Sequence, residues 1–392
     1  MKKHYLALAI TSAFAAPAAF ADVAVGPFAI YGTLQTAVEI INVESNGAVL
    51  APTAVSQSRL ADQSSKLGFK IKHDLGNGVF GLGQIESRLV LGNNGSNSDN
   101  KAELGSRNTF AGLGSNTLGT VRLGRYDNAY KLSSKLMGPL DDNLNDASDD
   151  TGDKQILNRL GARQGDMIAY ESPNWGGLSV LASYNMGKDS TGTATDLMTQ
   201  FALGLGYKMG DFSVGVGTTS LNNAAWQLDT SSAAKATNFT GSKELQAWQI
   251  GAGYTFGDFK IGVVAERTNS SLSKGLTIPV APAAAAALAF DQYQTTAGLV
   301  GAYKSGPLSM ELRYARADDV SGTTNGKEVG MDTGATQIGL SMGYELQKNV
   351  KVVGSYTRVD NKAKASYTTL SGFALAKGVD MNQLAVGLAV NF

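Results

Sequence analysis

The amino-acid sequence reads as all-β: a 16-stranded antiparallel transmembrane β-barrel with short periplasmic turns and long extracellular loops. Three observations predict it. Side chains alternate between apolar and small or polar at a period of two almost throughout. The connections alternate strictly between short and long. The chain also opens on an export leader.

The leader is "MKKHYLALAITSAFAAPAAFA", with Lys2 and Lys3, an apolar stretch from Tyr5 to Ala16, and Ala19-Phe20-Ala21 as a small-residue cleavage site. Residues 1–21 are expected to be removed, which leaves 22–392 as one barrel domain beginning at Asp22. The leader's apolar core is too short for a membrane helix, and no later run approaches the roughly 20 residues a helix would need. An exported chain without cysteine is not a disulfide scaffold. Its charged fraction, 17%, is below the roughly 25% of soluble domains. The 33 basic and 33 acidic residues give no long-range attraction for nucleic acid.

Strands are predicted near 27–41, 64–74, 78–91, 107–114, 119–126, 166–172, 177–185, 201–209, 211–220, 246–256, 258–268, 295–304, 307–316, 335–346, 350–360 and 380–392. Within them Phe201, Leu203, Leu205 and Tyr207 share a face opposite Ala202, Gly204, Gly206 and Lys208. Leu308, Met310, Leu312 and Tyr314 are likewise opposite Ser309, Glu311, Arg313 and Ala315. The short connections, such as "DLGNG", "MGD", "FGD" and "KSGP", are rich in turn-forming residues. The long ones must then all emerge at one end. A hydrocarbon surround requires a spanning sheet to close on itself, and an even strand count with this asymmetry fits an outer-membrane barrel. Tyr184, Tyr207, Tyr254, Tyr303 and Tyr344 sit near strand ends on the apolar face, as an interfacial belt requires.

The segments "AIYGTLQTA", "SSKLGFKIKHDLGNGVFGLGQIES", "RNTFAGLGSNTLGTVRLGRYDNAY" and "NQLAVGLAVNF" resemble the general porins of Gram-negative outer membranes, in particular the betaproteobacterial and neisserial type. The resemblance implies a water-filled pore, a homotrimer, and a third loop folded inward to narrow the lumen. It also implies lipopolysaccharide as the surrounding lipid and Phe392 as the signal read by the outer-membrane assembly machinery. Thr33 stands where that family carries an Arg after Tyr-Gly, and the Pro-Glu-Phe-Gly run of some third loops is missing.

The third long segment, residues 127–165, therefore holds the candidate constriction. Its first part is expected to be a short helix capped by Asp127. Asp141, Asp142 and Asp146 follow in a strongly acidic run. Basic partners on the wall are Lys66, Lys70 and Lys72, then Arg88 and Arg122, with Arg125 just before the loop. An acidic loop facing a basic wall would set a transverse field that orients solutes and selects ions. The wall residues and the resemblance together favour anions weakly.

No enzyme chemistry is legible. Outside the leader His73 is the only histidine, at a turn, and without cysteine or a second histidine neither a metal site nor a nucleophile–base pair can be assembled. The acidic loop lacks calcium-loop spacing, since no start at Asp141, Asp142 or Asp146 places Gly at position 6 and Glu at position 12. "GLGYKMG" and "GAGYTFG" lead into turns and strands, not into helices, and read as lumen glycines rather than dinucleotide loops. Thus no cofactor and no metal are expected. "PVAPAAAAALAF", 279–290, is placed in the sixth long loop without a role. Besides a general diffusion channel, two readings stay open on the residues: a substrate-preferring channel on the same barrel, and an adhesin or enzyme barrel.

Overall fold

The computed structural model describes residues 23–25, 27–45, 56–92, 104–137, 156–187, 199–222, 242–277, 287–368 and 375–392. The leader lies outside them. The barrel strands are β1 (Phe28–Ser45), β2 (Gln57–Asp62 continued by Lys66–Gly76), β3 (Val79–Arg88), β4 (Thr109–Ser115), β5 (Gly119–Asp127), β6 (Arg163–Glu171), β7 (Leu178–Asn185) and β8 (Gln200–Met209). They continue as β9 (Phe212–Asn222), β10 (Ser242–Phe256), β11 (Phe259–Thr277), β12 (Ala287–Ser305), β13 (Leu308–Ala317), β14 (Ala335–Gln347), β15 (Val350–Asn361) and β16 (Val379–Asn391). Each pairs antiparallel with its sequence neighbour. β16 returns to β1 from Thr33↔Asn391 to Ser45↔Val379, and the sheet closes.

Closure is completed by the last residue. Gly32 N–H donates to Phe392 O at 2.8 Å, and Phe392 N–H donates back to Gly32 O at 3.1 Å. The ring of Phe392 fills the space where Gly32 lacks a side chain. The terminal strand thus leaves no open edge, which in lipid would strand unpaired backbone groups.

Burial is inverted relative to a soluble sheet. Along β8 the large residues Phe201, Leu203, Leu205 and Tyr207 are exposed, whereas Ala202 is buried. The same alternation holds on β16, where Leu384, Val386, Leu388 and Val390 are exposed and Ala385 and Ala389 are buried. A continuous apolar exterior is stable only against lipid. Near the short-turn end Tyr254, Phe256, Phe259 and Tyr303 form a contiguous aromatic row, with successive centroids 6.3, 5.5 and 4.7 Å apart. Such amphipathic rings favour the membrane–water boundary.

Two local details differ from expectation. β2 begins at Gln57 and not near 64, because Ser64 adopts φ 67° and interrupts the strand while Gln63 N–H still reaches Gln35 O at 2.9 Å. β10, β11 and β12 also run beyond their predicted ends, to Ser242, Thr277 and Ala287. In these extensions the regular apolar alternation gives way to a mixed pattern, with Ser270, Ser271, Asp291 and Gln292 beside Leu245 and Phe290, while the backbone ladder continues. Ala287–Phe290, the end of the unexplained alanine-rich stretch, therefore belongs to β12. Asn77 and Gly78, both at positive φ, form the tight turn from β2 to β3 that the Asn-Gly pair predicts.

Candidate functional site: the constriction

The connection from β5 to β6 enters the barrel. Its first limb is a short helix, α1 (Ala129–Ser133), followed by a 3₁₀ turn, Ser134–Met137. The cap is Asn128 and not Asp127: Asn128 Oδ1 accepts from Lys131 N–H at 2.8 Å. Asp127 pairs instead with Arg163 at 3.1 Å and Lys131 at 3.3 Å. The limb lies on a glycine floor. A Cβ at Gly204 or Gly217 would meet Ser133, one at Gly206 would meet Leu136, and one at Gly215 or Gly251 would meet Met137, all at 3.0 Å or less. Only the absence of side chains on β8, β9 and β10 lets the loop sit this deep. Gln249 on β10 completes the seat, its Nε2 donating to Tyr130 O at 2.7 Å and Ser133 Oγ at 2.9 Å.

The returning limb crosses to other strands. Leu157 packs with Met137, Val264 and Val300, and Ile156 joins a cluster with Ile41, Val359, Tyr367 and Met381. Between them stands Glu266 on β11, 1% exposed. Its carboxylate accepts from Asn158 N–H at 2.7 Å and more weakly from Arg159 N–H at 3.5 Å. Tyr130 of the outgoing limb lies against the same carboxylate; burial, then that negative charge, push its phenol well above the usual tyrosine range and keep it protonated. One buried acid therefore touches both limbs. The last long connection locks the return from above: Arg159 Nη1 and Tyr367 OH both donate to Gln294 Oε1, at 2.6 and 2.7 Å.

Across the lumen, β2 and β3 lie opposite β10 and β11 in the closed strand order. Their inward face carries Lys66, Lys70 and Lys72 beside Gln84, Glu86 and Arg88, with Lys66↔Arg88 and Lys70↔Gln84 in register. Lys70 Nζ lies 5.0 Å from the Tyr31 ring centre, and Lys72 Nζ 3.9 Å from that of Phe80. The ammonium groups themselves lie over the ring faces, which hold both side chains against the wall. Glu86 is buried beneath them, bonded to Tyr31 OH at 2.8 Å and to Arg107 at 2.8 Å.

An inward loop seated on one wall with cations on the opposite wall is the geometry of a constricted aqueous pore, and the sequence profile of the Gram-negative porins matches residues 7–364. The chain belongs to the Gram-negative porin family. It is 31% identical over 220 residues to major outer membrane protein P.IB of Neisseria meningitidis serogroup A, covering 55% of this porin and 59% of that relative. To P.IA of N. meningitidis serogroup C it is 28% identical over 174 residues, 40% of this porin and 41% of that relative. This porin thus spans less than two thirds of the curated relatives it matches. Among solved structures, an anion-selective porin from Comamonas acidovorans superposes with a TM-score of 0.69 at 19% identity, covering 93% of this porin and 99% of that chain. OmpT of Vibrio cholerae superposes with a TM-score of 0.63 at 16% identity, covering 95% and 100%. These identities speak to the fold.

In this porin the predicted site residues separate into four groups. Lys66, Lys70, Lys72 and Arg88 come together on the inward wall. Arg122 also points inward but is 1% exposed, paired with Glu171 at 3.1 Å and stacked 4.8 Å from the Tyr126 ring. Its charge is sealed inside the wall and does not reach the water of the pore. Arg125 stands at a break in the alternation: Gly124 before it has φ 139°, the pairing of β5 with β6 slips between Gly124 and Tyr126, and Arg125 is half-buried where Val121 and Leu123 are exposed. Its Nε donates to Ser106 O at 3.0 Å. Asp141, Asp142 and Asp146 lie outside the described residues. Sequence reasoning missed Glu266, Gln249, Gln294 and Tyr367. The only available signal was a lone acid at an inward position, opposite Ala265 and Arg267, on a strand with an otherwise small or apolar inward face.

Proposed function

We propose that this porin is a water-filled channel through which small hydrophilic solutes and ions diffuse passively across the outer membrane, with a weak preference for anions. The observation that carries this reading is the pairing of an inward-seated third connection with the lysine-bearing wall of β2 and β3 across from it. The loop narrows the passage. The lysines make its potential positive on one side, which raises the local concentration of anions and turns dipolar solutes. Selection by a row of fixed charge needs no covalent step.

Reconstitution into a planar bilayer tests the reading. Stepwise conductance and a reversal potential of anion-favouring sign in a salt gradient are expected. Absence of steps would remove the pore, and a cation-favouring potential would remove the preference. The partners proposed with it are two further copies of the chain, outer-membrane lipopolysaccharide and the assembly machinery that reads Phe392. OmpT, a neighbour in fold, is known in a trimer form. Light scattering of the detergent-solubilised protein should return three times the mass of one chain. Cleavage after Ala21 should appear as a mature N-terminus at Asp22 in intact-mass measurement.

A further inference from the structure

Strand β2 carries one residue more than its partner β1 can pair. Above the interruption Gln57, Arg59 and Ala61 stand opposite Ile41, Glu39 and Ala37. Below it Lys66, Gly68 and Lys70 stand opposite Thr33, Tyr31 and Ala29. Between the two sections Leu34 and Gln35 of β1 face three residues of β2, Gln63, Ser64 and Ser65, which is a β-bulge of one extra residue. On β1 the odd-numbered positions are inward: Ala37, Glu39 and Ile41 are buried, and Leu34, Val38 and Ile40 are exposed. The inward set of β2 is therefore odd above the bulge and even below it.

The charge of the pore wall depends on that change of parity. Arg59 and Lys66 are seven residues apart, and on an uninterrupted strand they would face opposite sides of the sheet. With the bulge both face the lumen. Ser64 takes the left-handed φ of 67° that the extra residue needs. Gln35 N–H donates to Ser65 Oγ at 2.9 Å, Ser65 Oγ donates to Gln35 O at 3.1 Å, and Ser65 N–H donates to Asp62 Oδ2 at 3.1 Å. These side chains replace ladder partners that the bulge removes, as a hydrocarbon surround requires. From the lumen side the Glu39 carboxylate accepts from Arg59 Nε at 2.6 Å, Gln63 Nε2 at 2.5 Å and Gln383 Nε2 at 2.9 Å, which ties the bulge to β1 and β16.

We propose that Ser64, Ser65, Asp62 and Glu39 are positioning residues for ion selection: one inserted residue turns both cationic sections of β2 toward the lumen, Arg59 above and Lys66, Lys70 and Lys72 below. The inference rests on the anion preference proposed above and places its cause in a backbone irregularity as well as in the charges themselves. Removing Ser64 restores a continuous strand, in which one section has to turn over. Lys66–Gly76 sets Leu67, Phe69 and Ile71 on the lipid side, whereas Gln57–Asp62 sets only Leu60 there, so the upper section yields. Arg59 then leaves the lumen, and Glu39 keeps its charge there without it. The potential of the passage becomes more negative.

Reversal potentials and cysteine labelling of the reconstituted full chain test this, and the absence of native cysteine makes each introduced thiol unique. Deletion of Ser64 should move the reversal potential toward cations, lowering the anion-to-cation permeability ratio about twofold. Ser64→Gly, which adopts the same backbone freely, should keep the wild-type value. With a membrane-impermeant methanethiosulfonate, R59C and K70C should both be modified, and L60C and F69C should not. In the deletion background R59C should react about tenfold more slowly, because a thiol turned to lipid is not ionised. Slower labelling of K70C instead would support the bulge and show that the lower section turns. An unchanged reversal potential in the deletion variant, or equal labelling of both cysteines with and without Ser64, would overturn the proposal. If the deletion fails to assemble, the intact chain decides: modification of L60C in place of R59C overturns the parity change. A wild-type potential favouring cations removes the anion preference itself, while joint labelling of R59C and K70C would still support the bulge as what places them.

Discussion

Lys70 on β2 and Arg122 on β5 are both inward cations, three strands apart, yet they have different work. Lys70 keeps its ammonium at the water boundary over Tyr31, whereas Arg122 is enclosed with Glu171, Phe110 and Tyr126. Charge reversal at Lys70 and Lys72 together should move the bilayer reversal potential toward cations. Arg122→Gln should leave that potential near wild type and instead destabilise the barrel by about 3–5 kcal/mol, the effect of leaving Glu171 buried without its partner; thermal unfolding in detergent measures it. A second residue-scale expectation concerns Glu266. Glu266→Ala leaves Asn158 N–H without its buried acceptor, which costs about 1–3 kcal/mol locally and releases the return limb from β11. Single-channel recordings should then show a changed and noisier conductance. A quiet trace of wild-type amplitude would mean that Gln294 and Tyr367 hold the limb by themselves.

At the scale of elements, the third connection and its floor fit each other by subtraction. α1 is only five residues long, too short to be stable alone, and it persists because Tyr130, Ser133 and Met137 are buried against strands stripped to glycine. Gly217→Val would place its side chain on Ser133, and Gly206→Val on Leu136. Overpacking of this kind costs about 1–3 kcal/mol and is relieved most easily by moving the loop, since the barrel ladder is the stiffer part. Both variants should still assemble but with a conductance different from wild type; an unchanged conductance together with lost stability would show that the wall yields instead. These glycines were legible in the sequence as a lumen face of minimal side chains. What they accommodate was not, because the loop approaches them from segments about 70 to 120 residues away along the chain.

For the whole molecule, stability rests on closure. The seam of β1 and β16 ends with reciprocal backbone bonds between Gly32 and Phe392 and with the Phe392 ring seated over Gly32. Deleting Phe392 removes that last pair and the ring but leaves the ladder from Thr33↔Asn391 upward. The amount of folded barrel in the outer membrane should fall severalfold, while channels that do form should keep wild-type conductance, because the residue faces away from the constriction. Heat-modifiable mobility on gels gives the first quantity and bilayer recording the second.

The sequence by itself determined the barrel: strand count, direction, which face meets lipid, and which end carries the loops all follow from a period of two and from turn chemistry, both local properties. It also placed Lys66, Lys70, Lys72 and Arg88 on one wall, since residues at even spacing share a face and antiparallel register does the rest. Only the tertiary structure decided which inward charges meet water. Arg122 and Lys70 have the same periodic signature, and what separates them is the enclosure of Arg122 by Phe110 on the adjacent β4 and Tyr126 on its own strand. The seat of the third connection on Gln249, Glu266 and the glycine floor was likewise decided there, because it joins residues far apart in the chain through side chains whose spacing follows no period.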